Sequence, residues 1–259
     1  MDHRKRVHVF RNREETSAFL RRRWSEISAE SVSRRGFFAV ALSGGKTPVP
    51  FYTSMAETRI DLPWERTHLF LADERFLPLD HPDSNCRLLQ QTLLTIKQLP
   101  PENVHPVPVE TTGLRAEARA SARASARRYE RDLTRFFKIS PGQFPCFDLI
   151  LLGIGEDGHT ASLFPGSAAL TERRHLAAPV VLDPVRHHRI TLTLPVINHA
   201  DNVLFLVTGE NKAGVVRKVV CREDLSLPAS RVRPESGNLD FTLDEDAGSQ
   251  LTRQECGAS

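Results

Sequence analysis

The stretch that decides the fold spans residues 147–165 and reads FDLILLGIGEDGHTASLFP. Its first part, 147–152, is an apolar run of the length that a buried strand takes. The glycines that follow allow a tight turn and a close approach of the backbone to a ligand. Two titratable side chains, Asp157 and His159, lie in that turn. Because ionisable groups are costly to place beside a buried strand, we predict that this loop carries chemistry.

The same alternation of strand, loop and helix recurs along the chain. Apolar runs predict buried strands at 37–42, 67–72 and 203–207, and helical spacing is evident at 16–33 and 213–220. Further strands are predicted at 7–10, at an edge of the sheet, at 188–194 and at 239–243. Strands that alternate with helices favour an α/β fold with a mainly parallel sheet and helices on both faces. Ligands bind beyond the carboxyl ends of such strands, where we expect four loops to meet: 43–48, 73–75, 153–160 and 208–212.

The composition is ordinary for a soluble globular protein, with 40% hydrophobic and 26% charged residues. A chain of 259 residues can bury a full core as one domain, which we place at 1–248, followed by a frayed tail at 249–259. The net charge of +3 is too small to indicate nucleic-acid binding. No apolar run approaches the roughly 20 residues of a membrane helix.

The cysteines and the N-terminal residues indicate in which cellular compartment the protein is expected. The four cysteines are scattered without a Cys-x-x-Cys pair, which argues against a disulfide framework and against a zinc site. The basic N-terminus has no apolar stretch behind it, so we expect no secretory signal. A cytoplasmic location is therefore expected.

Arginines recur at every fourth position through an alanine-rich segment, at Arg115, Arg119, Arg123, Arg127, Arg131 and Arg135. On a helix, side chains four residues apart share one face. We favour a solvated helix face that takes no part in catalysis. The alternative, a patch for a polyanion or a partner, has no interleaved aromatic residues to support it.

Two of the loops offer groups for an anion. In the segment 43–47, Ser43, Gly44, Gly45 and Lys46 precede a helix start, where backbone N–H groups lack partners and the helix dipole is positive. The segment is not a nucleotide P-loop, and the alternative is a simple tight turn. In the segment 73–75, Arg75 can bind carboxylate or phosphate with a forked pair of donors, or it can belong to a surface ion-pair cluster.

Other charged residues complete the candidate site. Lys212 and Arg189 are candidates for binding phosphate, although either could be a solvated base. His159 is a candidate general base or acid because histidine titrates near neutral pH. Asp157 could orient it or contact sugar hydroxyls, and a structural histidine is the alternative. Ser162 lacks a Gly-x-Ser-x-Gly elbow, so a serine nucleophile is not expected.

As an ordered set, these motifs resemble those of the 6-phosphogluconolactonases. The matching segments are 43–48, 73–75, 83–85, 153–165, 189–191 and 209–213. The resemblance runs over roughly residues 7 to 245, and segment 153–165 is its most specific part. Lys46 departs from the pattern, since many members carry a small polar residue there. The arginine repeat is not a feature of the family.

The resemblance implies a Rossmann-like fold, shared with glucosamine-6-phosphate deaminases. It also implies hydrolysis of 6-phosphoglucono-δ-lactone to 6-phosphogluconate in the oxidative pentose phosphate pathway, with no metal or organic cofactor. We expect a monomer that binds a sugar-phosphate lactone and neither nucleic acid nor a membrane. His159 would activate water with Asp157 beside it, and Arg75 would stabilise developing negative charge. The phosphate would be held by Ser43, Gly44, Gly45, Lys46, Arg189 and Lys212.

Two alternatives remain open. A deaminase-like isomerase also carries a Gly-x-Gly-x-Asp-Gly-His loop, but there the loop continues toward an Asn-Glu-Pro element, whereas this chain continues with residues 160–165 (TASLFP). A sugar-phosphate sensor without activity could have the same fold. The intact set of Asp157, His159 and Arg75 argues against such a sensor, and a measurement of turnover separates the two.

Overall fold

The computed structural model describes residues 5–58, 61–109, 115–181 and 187–252, with the backbone alone for residues 115–119. Most of the predicted C-terminal tail, residues 253–259, lies outside this range. The helices are α1 (Arg13–Arg35), α2 (Val49–Glu57), α3 (Asn85–Gln91), α4 (Arg115–Phe137), α5 (Leu194–Asn198), α6 (Ala213–Val220) and α7 (Glu245–Gly248). Within the described residues, none of them is long and apolar enough to cross a membrane.

The central sheet of the described chain has seven strands, all paired in parallel. Their spatial order is β1 (Lys5–Phe10), β10 (Asn238–Asp244), β9 (Asn202–Val207), β6 (Leu149–Leu152), β2 (Phe38–Leu42), β3 (Thr67–Leu71) and β5 (Val104–His105). Every residue of β2 and β6 is buried, which requires cover on both faces of the sheet. The predicted α/β class with a mainly parallel sheet is confirmed, and β1 lies at an edge as predicted.

A second sheet was not foreseen from the sequence. It is antiparallel, and it joins β4 (Asp73–Arg75), β8 (Arg189–Leu192) and β7 (Ala177–Val180) in that order. The sequence placed residues 73–75 in a loop. Instead, the N–H of Leu192 donates to the carbonyl of Ala72 over 2.8 Å, and β8 continues this pairing along β4. Pro179 is tolerated because β7 is the outer strand, where an N–H is not needed.

The strand order brings the chemistry-bearing loops together. Strands β9, β6, β2 and β3 are neighbours in the sheet, so the loops after them meet at one edge. The chain builds outward from β2 through β3 to β5, and then continues on the other side of β2 with β6. The order of the strands therefore reverses between β2 and β6, and such a switch point opens a crevice for ligands.

The cysteines are not all free. Cys86 and Cys146 are free thiols. Cys221, by contrast, is disulfide-bonded, so the scattered spacing in the sequence did not exclude a single crosslink.

A cluster of aromatic rings near the end of the sheet contains two histidines. The His105 ring stacks on Phe70 with ring centroids 4.2 Å apart, and its Nε2 lies 3.1 Å from Nδ1 of His68. Burial, with a smaller effect of His68, lowers the pKa of His105 to about 4. His105 is therefore neutral in the folded protein at neutral and mildly acidic pH.

This lowered pKa predicts a loss of stability in acid. In the unfolded chain histidine takes up a proton near pH 6.5, whereas folded His105 takes one up only near pH 4. The free energy of unfolding should therefore fall between these values as the pH is lowered, by on the order of 1–2 kcal/mol from this residue. Urea unfolding at pH 7 and pH 5 measures the loss. His105→Phe, which keeps a stacking ring, should lose less, whereas the exposed His199→Phe should behave like the wild type. An equal loss in His105→Phe and the wild type would contradict the assignment.

Candidate active site

A cavity of about 640 Å³ opens where the loops after β2, β3, β6 and β9 meet. Eight of the nine predicted site residues line it: Ser43, Gly44, Gly45, Arg75, Asp157, His159, Arg189 and Lys212. Lys46 lies on the same loop as Ser43 but is exposed and does not line the cavity. The fold therefore brings together all the predicted site residues except Lys46.

The loop after β6 is folded around the imidazole of His159. The N–H of Gly155 donates to the carbonyl of His159 over 2.8 Å, and the N–H of Gly158 donates back to the carbonyl of Gly155 over 2.9 Å. A Cβ atom at Gly155 would lie 2.0 Å from Nδ1 of His159. Only glycine fits there, because any side chain would displace the ring. On its other side the ring packs against Phe164, with centroids 4.5 Å apart.

Asp157 determines which nitrogen of the neutral ring carries the proton. Its Oδ1 accepts hydrogen bonds from the backbone N–H of His159 over 3.1 Å and from Nδ1 over 2.5 Å. Burial alone would raise the pKa of Asp157, but these hydrogen bonds and the nearby imidazole outweigh it and lower the pKa below its ordinary value. Because an ionised carboxylate only accepts hydrogen bonds, Nδ1 carries a proton in this contact, and in the neutral ring Nε2 therefore carries the lone pair. A ring in this state can take a proton at Nε2.

Two guanidinium groups lie side by side in the cavity. Arg75 of β4 is paired in register with Arg189 of β8. The Nε of Arg189 is buried and has no hydrogen-bond partner among the described residues. Burial, together with the charge of Arg75, lowers the pKa of the Arg189 guanidinium from its ordinary value. Arginine nevertheless stays charged in proteins. Neither guanidinium group forms an ion pair with an acid among the described residues, so the pair is suited to bind an anion.

The residue that positions Arg75 was missed in the sequence. Arg75 donates to the side-chain oxygen of Asn85, whose amide donates to the backbone carbonyl of Asp73 over 2.8 Å. Asp73 is itself buried, lines the cavity and accepts a hydrogen bond from Ser162 Oγ. The resemblance marked segment 83–85, but the sequence did not indicate that Asn85 contacts Arg75.

Glu74 stabilises the contact between Arg75 and Asn85. Its carboxylate accepts from Ser84 Oγ at 3.0 Å and from the backbone N–H groups of Asn85 and Cys86 at 2.8 Å each. It is completely buried, and burial raises its pKa although these hydrogen bonds act in the opposite direction. Glu74 thus anchors the start of α3 to β4, which brings Asn85 to Arg75.

The loop after β2 offers polar groups at another part of the cavity. Ser43 is buried, and its Oγ has no hydrogen-bond partner among the described atoms. A Cβ atom at Gly44 would lie 1.8 Å from Oδ1 of Asn85, so this close passage of the loop requires glycine. Lys212, which precedes α6, adds a positive charge to the lining. A hydrogen bond of 2.6 Å from Asn211 to Glu156 joins its loop to the loop of His159.

Comparison with known proteins places the chain in a family. Residues 11–241 match the model of the glucosamine-6-phosphate isomerases/6-phosphogluconolactonase family, and the chain belongs to that family. It is 41% identical to the 6-phosphogluconolactonase of Synechocystis sp. over 224 residues, which cover 86% of this chain and 88% of that protein. The solved 6-phosphogluconolactonase of Trypanosoma cruzi aligns with a TM-score of 0.85 and 30% identity, covering 97% of this chain and 98% of that one.

The other branch of the family shares the fold. A monomeric glucosamine-6-phosphate deaminase aligns with a TM-score of 0.72 over 95% of this chain and all of that one, at 21% identity. Similarity at that level shows the fold alone. The predicted fold shared by lactonases and deaminases is therefore confirmed, and the choice between the two activities depends on the site.

Proposed function

We propose that the protein hydrolyses 6-phospho-D-glucono-1,5-lactone to 6-phospho-D-gluconate. The observation that carries the proposal is the Asp157–His159 pair, in which the carboxylate contacts Nδ1, in a cavity that Arg75 and Arg189 also line. A cyclic ester with a phosphate needs these parts: a base for water, a cation for the oxyanion and further cations for the phosphate. The lactonase names of the relatives support the same substrate.

In the proposed mechanism, Nε2 of His159 takes a proton from water as the oxygen of the water attacks the lactone carbonyl at C1. Asp157 stabilises the imidazolium that forms, because its carboxylate already accepts from Nδ1. The carbonyl oxygen becomes an oxyanion facing Arg75. When the bond between C1 and the ring oxygen breaks, His159 returns the proton to the ring oxygen, which becomes a hydroxyl group. The open-chain carboxylic acid formed at C1 then loses its proton to solvent and becomes the carboxylate.

The phosphate is bound at the remaining groups of the cavity. Lys212 and Arg189 supply the charge, and Ser43 Oγ and the amides of Gly44 and Gly45 supply hydrogen-bond donors. Lys46 was assigned to this group from the sequence, and its exposed position gives that assignment no support. We keep it outside the proposed site.

The direct experiment is to generate the δ-lactone in the cuvette and follow formation of 6-phosphogluconate with a coupled dehydrogenase. The rate is compared with spontaneous hydrolysis at the same pH. A rate equal to the background, with tight binding of 6-phosphogluconate, would instead identify a sensor without activity. Release of ammonia from glucosamine 6-phosphate would identify a deaminase, and the loop 160–165 argues against that activity.

Lys212→Ala is expected to act through KM. The phosphate does not change during hydrolysis, so its contact with Lys212 is similar in the ground state and the transition state. We expect KM to rise by about tenfold or more and kcat to stay within about threefold, as loss of one charge-assisted hydrogen bond predicts. Lys218→Ala on α6, the helix that Lys212 precedes, is the matched control, because Lys218 is exposed and does not line the cavity. A fall in kcat with an unchanged KM would remove Lys212 from the phosphate site.

Activity is expected to survive exhaustive dialysis against a strong chelator. In the proposed mechanism His159 activates the water, so no ion is needed to lower the pKa of the water. Among the described residues, no three histidine, cysteine or acidic side chains cluster in a way that could hold a metal. The coupled assay before and after dialysis, with metal analysis, tests this expectation. Loss of activity that returns with a divalent ion would contradict it.

Four further points from the sequence stay proposals. We propose a monomer, a cytoplasmic location and a single lactonase domain over residues 1–248, with no nucleic-acid partner. Light scattering coupled to size-exclusion chromatography tests the first, and fractionation of cells that express the protein tests the second. Limited proteolysis that yields one stable fragment would support the third.

A further inference from the structure

A second cavity, of about 620 Å³, lies between α4 and the outer strand β7 of the small sheet. Its walls are polar and apolar in about equal parts, and the apolar part comes from small side chains that include Ala126 on α4, Ala178 and Val180 on β7, and Ala169. Val181, whose exposed fraction of 43% is high for valine, lies at its rim. The proposed active site contains residues of β4 and β8, so this cavity lies at the opposite edge of the same sheet.

The basic and acidic side chains that line this cavity differ in whether they have partners. Arg123 and Arg127 line it, are exposed and have no hydrogen-bond or ion-pair partner in the part of the chain that the structure describes. The two acidic side chains that line the cavity, by contrast, already have hydrogen-bond partners. Glu130 lies 3.1 Å from the ring of His175, and Glu172 accepts three backbone N–H groups at 2.7–3.2 Å. Two unpaired guanidinium groups therefore line the cavity together with its small apolar side chains.

A further polar atom is also without a partner. The Oγ of Ser167 is buried and makes no hydrogen bond to the described atoms, and Ser167 lines this cavity. Buried hydroxyl groups are normally hydrogen-bonded, so an unpaired one in a cavity wall indicates a ligand or ordered water. The cavity therefore offers a cationic end, an apolar body and one hydroxyl group.

We propose that this cavity is a binding site for a small amphipathic organic anion. The anionic group, a phosphate, sulfonate or carboxylate, binds the guanidinium groups of Arg123 and Arg127, which can each donate a forked pair of hydrogen bonds. The apolar body packs on Ala126, Ala178 and Val180. The volume lies within the roughly 300–1,000 Å³ of small-molecule sites. Part of the arginine stripe thus has a function that differs from both a solvated face and a polyanion patch.

The test uses 8-anilinonaphthalene-1-sulfonate, a fluorescent amphipathic anion, titrated against the whole protein. The variants are Arg123→Gln/Arg127→Gln and the matched control Arg131→Gln. Arg131 is exposed one turn further along the same helix face and does not line the cavity. Thermal melts and lactonase kinetics within about twofold of the wild type confirm that each variant is folded, since exposed charges far from the site act weakly.

We expect saturable binding to the wild type and to Arg131→Gln, and at least a tenfold weaker affinity for the double variant, as loss of about 1.4 kcal/mol or more in charge-assisted hydrogen bonds predicts. Equal affinity in all three proteins would overturn the proposal. Binding that survives in the double variant but disappears in Arg75→Gln would place the dye in the first cavity and would also overturn it.

Discussion

Replacing His159 with alanine should lower kcat by about 10²–10⁴-fold, the range that general acid–base catalysis contributes. The prediction follows from the hydrogen bond between Nδ1 and Asp157, which leaves Nε2 to accept the proton of the attacking water. The side chain is about one-third exposed, so its removal should leave the fold intact. Background-corrected initial rates at saturating lactone give kcat, and circular dichroism checks the fold.

The matched control is His199→Ala. His199 is also exposed and also pairs with an acid, Glu235, but it does not line the cavity. It should keep full activity. Asp157→Asn should fall between the two, because the amide can hold the ring but cannot stabilise its charged form. A folded His159→Ala protein with near wild-type kcat would exclude His159 as the base.

Replacing Arg75 with alanine should also have a large effect on the rate. We expect kcat to fall by about 10²–10³-fold, as removal of one group that stabilises an oxyanion does in other enzymes. KM should change little, because the charge that Arg75 meets develops only during the reaction. Arg87→Ala is the control, since Arg87 lies on α3, donates to the carbonyl of Asp80 and does not line the cavity.

The variants at Arg75 and Lys212 also test each other. If Arg75→Ala raises KM and Lys212→Ala lowers kcat, the two roles have been exchanged. Arg75→Lys adds a further check, because lysine keeps the charge but cannot form the same fork with the substrate and Asn85. A kcat close to that of the wild type in Arg75→Lys would show that charge alone is sufficient.

The parts of the fold that could be predicted from the sequence are those with a local signal. Strands β2 and β6 are buried on both faces, so they appear in the sequence as continuous apolar runs. In the small sheet only β8 has a local signal, and it lies within the predicted strand at 188–194. Strand β7 reads Ala-Ala-Pro-Val, which has neither alternation nor a long apolar run, and β4 has three polar residues. Both strands pair with β8, which is close to β7 in the sequence but far from β4.

The same distinction applies to the site. Asp157 and His159 are two residues apart in one loop, so their pairing could be anticipated. The contact of Arg75 with Asn85 could not, because it depends on how buried Glu74 anchors α3 to β4. Lys46 illustrates the opposite error. A lysine beside two glycines before a helix suggests an anion site, but the direction of the turn leaves this side chain outside the cavity.

The position of β1 in the sheet determines when the sheet can be completed during translation. It is the first strand of the described chain to be synthesised, and in the sheet it pairs only with β10, the last, with Lys5 opposite Leu239. Nearly the whole chain must therefore emerge before the first strand finds its place, so the sheet can close only late in translation. A nascent chain that stalls before residue 238 would expose both β1 and the bare edge of β9, and unpaired strand edges are where aggregation starts.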